Sequence, residues 1–202
     1  MTISPVNAPP IGIGAFNPNS LTADSLMTYC QTQLGNIDGE VKAYFEQQQK
    51  MLAEKKVLSE LQTALAKYDP PNTKEASKAI GEALEKAYNE LASLNPNGEL
   101  AKKVLQITDD LLPKMGQTLT TNPAQHTITV EFGSTPKGVT KAYWTSQVDE
   151  VKGMISSVSG NAELNMIQLQ SLMSKRQTAV QLTTNMLSKY DQTIAGIVNN
   201  VK

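Results

Sequence analysis

A single imidazole, His126, and a single thiol, Cys30, are the side chains best suited to proton transfer or covalent chemistry in this 202-residue sequence. General acid–base work by His126 needs a nucleophile or carboxylate folded against it, and its chain neighbours are Gln125 and Thr127. It opens a run of strand-like alternation, where a histidine is expected on the surface. Cys30 falls on an apolar helical stripe with no basic residue nearby to hold a thiolate, so it is expected to be a small buried hydrophobe. Asp109-Asp110 lacks the Asp/Asn/Gly spacing of a calcium loop and is expected to be a solvated face. Gly12-x-Gly14 follows no strand and has no third glycine, both of which a dinucleotide-binding loop needs. One cysteine excludes an internal disulfide and a Cys-rich metal cage; one histidine excludes zinc sites built on two or three. No catalytic, cofactor-binding or metal-binding residue is therefore expected, and the chain is not expected to be an enzyme.

Two further features suit packing better than catalysis. Tyr143-Trp144 holds the only tryptophan, placed at the entry to a long apolar-periodic segment and expected to anchor a core. Met154, Met166, Met173 and Met186 recur at helical spacing, which fits a packed core or an inter-subunit seam better than an adaptable groove. With 18 Lys+Arg against 19 Asp+Glu, the net charge of -1 makes no electrostatic case for nucleic acid or an anionic membrane. Arg176 is the only arginine and aromatics make up 5%, so bidentate phosphate contacts and base-stacking platforms are scarce. No run of ~18 apolar residues could span a bilayer. Residues 1–20 hold Pro5, Pro9, Pro10 and Pro18 and no charge, and no Lys or Arg precedes Lys42. They are expected to be a disordered leader and not a cleavable signal peptide.

The elements that must position these residues follow from periodicity. Residues 21–69 are expected to form one long helix, with Cys30, Ile37, Tyr44, Met51, Leu58 and Leu65 seven apart. Met27, Leu34 and Val41 begin a partner phase that then reads Gln48, Lys55 and Gln62, while Phe45, Leu52 and Leu61 fill neighbouring slots. Gly35 and Gly39 are expected to kink its first turns, and Asp69-Pro70-Pro71 to end it. Residues 145–202 are expected to form a second long helix on Met166, Met173, Val180, Leu187, Ile194 and Val201. A companion phase runs Val148, Ile155, Ala162, Leu169, Arg176, Thr183, Tyr190 and Ile197, interrupted by Arg176 and Thr183, and Ser159-Gly160-Asn161 is a weak point. Residues 70–144 have a different texture. Asn72 and Glu75 resemble a capping box opening a helix that stops at Asn95-Pro96-Asn97-Gly98. A second helix from Glu99 is ended or kinked by Pro113. His126-Thr127-Ile128-Thr129-Val130-Glu131-Phe132 alternates with period two, pairing with strands near Leu119 or Val139, and a turn-rich stretch covers 133–138. The expected fold is mainly α: a long antiparallel helical hairpin, or coiled coil, with a small mixed α/β insertion between the two long helices.

This order of elements resembles the hydrophilic needle-tip and filament proteins of bacterial type III secretion systems. Residue-level likeness lies in Ile167-Gln168-Leu169-Gln170-Ser171-Leu172, continuing to Asn185-Met186-Leu187-Ser188-Lys189-Tyr190-Asp191. The Lys189-Tyr190-Asp191 step, followed by Ile194 and Ile197, is similar to the terminal helix of the V-antigen branch. The resemblance implies a secreted structural protein at the cell surface, forming the needle tip or a homopolymeric filament and supporting insertion of a translocon pore. It implies homo-oligomers, the needle subunit, pore-forming translocators and a cytoplasmic secretion chaperone as partners. The expected assembly residues are Met173, Val180, Leu187, Tyr190, Ile194 and Ile197. The alternative is an intracellular coiled-coil adaptor or chaperone-like binding module.

Overall fold

Long stretches free of proline, rich in Ala, Leu, Glu, Lys and Gln, favour helix over any competing structure. The computed structural model describes residues 23–200 apart from 69, 134, 135 and 137. The 1–20 leader, Asp69, part of the 133–138 stretch and Val201 lie outside the described residues. Helix α1 covers Ala23–Ala66, α2 Lys74–Leu94 and α3 Glu99–Leu111. A 3₁₀ turn at Leu112–Met115 leads into strands β1 (Gln117–Asn122) and β2 (Thr127–Phe132), and α4 closes the order at Lys141–Asn200. The fold is mainly α, with α1 and α4 packed together and a small helix and β-hairpin insertion between them. The chain divides into two compact units, one of Met1–Val41 with Ser171–Lys202 and one of Lys42–Gln170.

In the second unit the two long helices run antiparallel. Trp144 Nε1 donates to Tyr68 O at 2.7 Å, and Asn165 Nδ2 donates to Tyr44 O at 2.9 Å. Rising numbers on α4 therefore meet falling numbers on α1. Leu58, Leu61 and Leu65 are fully enclosed with Ile80 and Leu84 of α2, Val104 and Leu111 of α3, and Val151 of α4. Each such side chain stabilises the fold by about 1.5–3 kcal/mol on transfer from water. Trp144, 2% exposed, belongs to this core, as its anchoring role requires. Phe45 and Leu52 differ from the apolar-stripe expectation: both are exposed, because the packed face of α1 rotates away from their row.

Local chemistry sets the insertion. The N-cap of α2 is Thr73 and not Asn72: its extended backbone lets Oγ1 accept from Ala76 N at 3.1 Å. Asn72 instead donates its N–H to Pro70 O, closing the turn of the double proline. At the other end Asn95 N–H returns to Leu91 O, and Pro96 bars further helix. Pro113 converts the end of α3 to a 3₁₀ turn, which Gly116 terminates at φ 70, a left-handed conformation that suits glycine. β1 and β2 pair antiparallel with Leu119 opposite Val130. Val139 is buried in the core beside α4 and joins no strand. α2 lies close against the hairpin because Gly81 has no side chain. A Cβ there would overlap Gln117 Oε1 and stand 2.9 Å from Val130 Cγ1. The Gln117 amide donates to Ser77 O in this contact.

In the first unit Gly35 and Gly39 lie within unbroken α1, and a Cβ at either would meet nothing within 4 Å. The expected kink is absent, since the cost of each glycine, about 1 kcal/mol, is below that of breaking the helix. Cys30 and Leu172 are buried here. In the second unit Ser159-Gly160-Asn161 likewise stays helical within α4, which starts at Lys141 and so takes in the expected end of the insertion.

Candidate assembly surface

Side chains seven apart on a helix drift by about 20° per step, so a row of them winds slowly round the surface. Met173, Val180, Leu187 and Ile194 make such a row on α4, and Tyr190 and Ile197, each three residues further on, stand beside it. All six belong to the first unit. Met173, Val180, Tyr190, Ile194 and Ile197 are exposed, at 51%, 40%, 40%, 43% and 58%; Leu187 alone is half-buried. The structure thus leaves five of these six residues exposed along one side of α4.

Arg176 Nε donates to Asp38 Oδ1 at 2.5 Å, fixing the pairing of the two helices in this unit. The hydrogen bond and the charge of Asp38 hold the Arg176 guanidinium pKa above its ordinary value. Among the described residues every side chain from 188 to 200 is exposed. Val198 and Leu182 are exposed apolar residues that the seven-residue count missed. Val198 stands about five full turns beyond Val180, so an 18-residue count finds it. Leu182 lies on the opposite side of the helix from Met173.

The residues with chemical potential are not gathered. His126 is exposed at the end of the hairpin turn, with φ 51, and it precedes β2 where strand was expected to include it. Its left-handed backbone closes the four-residue loop, in which Gln125 N–H donates to Asn122 O at 3.3 Å. Cys30 is buried in the first unit. Among the described residues no group of three His, Cys, Asp or Glu is placed to hold a metal ion. A shallow cleft between α1 and α2 is lined by Val57, Leu61, Ala64, Ala83 and Ala87, with Glu60, Lys86 and Glu90 on its rim. Lys86 Nζ donates to Glu60 Oε2 at 2.8 Å, which lowers the Glu60 pKa and raises that of Lys86. Glu54 is held above the usual carboxylate range by burial, partly offset by Lys50. Among the described residues no helix is long and apolar enough to cross a membrane. No protein-family model, curated protein or solved structure matches the chain.

Proposed function

We propose that this chain is a secreted structural subunit of a type III secretion apparatus, without catalytic activity. It forms the needle tip or a homopolymeric filament that extends the needle, and it supports insertion of the translocon pore into a host membrane. The observation that carries the reading is the exposed apolar strip on the last helix. Five exposed apolar or aromatic side chains, with half-buried Leu187 among them, are surface that association removes from water. Its Met, Ile and Tyr composition suits a packed seam. The resemblance of the element order and of residues 167–191 to needle-tip and filament proteins supplies the biological setting. Needle subunits, pore-forming translocators and a cytoplasmic secretion chaperone are the partners it brings.

Two measurements test the proposal together. The intact chain should be found in the medium of cells with a working secretion apparatus and be retained when export is blocked. Tyr190→Ser with Ile197→Ser should keep the circular dichroism of the parent yet lose assembly in electron micrographs. Retention in cells in a stable hetero-complex would instead establish the adaptor reading. Unimpaired assembly by the double variant would remove the strip from the interface.

A further inference from the structure

The two edges of the β-hairpin are treated very differently. Asn89 of α2 reads the outer edge of β2 like a third strand: its Nδ2 donates to Ile128 O at 3.1 Å and its Oδ1 accepts from Ile128 N at 2.8 Å. Glu85 Oε2 accepts from Val130 N at 2.9 Å. Backbone groups of Ile128 and Val130 therefore point away from β1. In an antiparallel ladder the residues opposite them, Thr121 and Leu119, must point away from β2. Among the described residues no backbone or side-chain group pairs with those outward groups on β1. Thr118, Thr120, Thr121 and Asn122 are exposed, Leu119 is half-buried and Gln117 is buried.

We propose that this open edge of β1 pairs with the same edge of a second copy of the chain, antiparallel about a dyad at Thr120. Leu119 then exchanges hydrogen bonds with Thr121 of the other copy, and Thr121 with Leu119. Three observations select a second copy. Residues 118–122 are Thr-Leu-Thr-Thr-Asn, so a dyad sets no like charges face to face, and Thr120 meets Thr120 in a favourable cross-strand pair. The segment has none of the lysines, prolines or bulges that guard strand edges. Because α2 seals the far edge of β2, the sheet grows through β1 alone, and the assembly closes at four strands as an isologous pair. The contact is small beside the ~1,200 Å² of a stable interface, so the pair is weak and reversible. It uses no residue of the α4 strip and is independent of the secretion reading.

The test is disulfide trapping in the full chain with Cys30 replaced by alanine. At a dyad the two Thr120 Cα atoms stand about 4.5 Å apart, in a non-hydrogen-bonded pair, which is within disulfide reach. Thr120→Cys should give a disulfide-linked dimer in a glutathione redox buffer. Thr118→Cys, whose two copies would lie more than about 10 Å apart in this register, should stay monomeric. Thr121→Pro removes one outward N–H without touching the β1–β2 ladder, and in the Thr120→Cys chain it should abolish the dimer band. Thr121→Lys, which keeps every backbone group, should do the same if the proline disturbs the hairpin. The dimer should persist with Tyr190→Ser and Ile197→Ser added. A monomeric Thr120→Cys chain, equal trapping of Thr118→Cys, or a dimer indifferent to both Thr121 variants would overturn the proposal.

Discussion

Gly81 decides how closely α2 approaches the hairpin, and two effects oppose each other there. Alanine in a helix interior is favoured over glycine by about 1 kcal/mol. Against this, the added Cβ would overlap Oε1 of Gln117, a side chain that is 4% exposed and donates to Ser77 O. Moving that amide takes its buried N–H donor from Ser77 O at a cost of about 1–3 kcal/mol, and the tight contact with Val130 adds to it. Gly81→Ala is therefore expected to destabilise the protein on balance, by about 1–2 kcal/mol. Gln117→Ala should cost much less in the Gly81→Ala background than alone, and urea titration of the four variants measures that coupling. None of this was legible in the sequence, where Gly81 is one glycine in a helical run and Gln117 precedes a threonine-rich segment. The cap at Thr73 escaped for a related reason. Asn72 and Thr73 are both good caps, and the turn imposed by Pro70-Pro71 chose between them.

At the scale of elements the period-seven spacing was enough to find both long helices, since an apolar row sustained at that spacing marks one face of a helix. It was less informative about what interrupts the row. Gln48 and Asn165, 7% and 3% exposed, meet in the α1–α4 seam of the second unit. Asn165 Nδ2 donates to Gln48 Oε1 at 3.0 Å, while Asn165 Oδ1 is buried without a partner. Gln48 was visible as a polar residue in an apolar phase; its partner, 117 positions away, could come only from folding. Such a rung fixes helix register while lowering stability. Asn165→Leu alone should cost about 1–3 kcal/mol by leaving the Gln48 carbonyl unpaired. Adding Gln48→Leu should restore the loss or exceed it, as guanidinium unfolding midpoints would show. The strand pair was also legible from its alternation, but the sealing of β2 by Asn89 and Glu85 was not, because helix-surface Asn and Glu carry no mark of such a role.

For the whole molecule, the hairpin with an insertion followed from the proline-free stretches and the change of period between them. The division into two units did not, since it depends on how thickly each part of the long helices is covered. The second unit encloses a core drawn from all four helices, while the first keeps only Cys30 and Leu172 buried among its described residues. Parts with few buried contacts open at lower free energy than the core. Trp144, the only tryptophan, lies in the second unit with its indole N–H bound to Tyr68 O. Its emission is therefore a private reporter of one unit, blue-shifted while that core is dry and silent about the other. Ellipticity at 222 nm counts helix in both. On heating, ellipticity should begin to fall while the emission maximum still holds, and superimposable curves would mean that the two units melt as one.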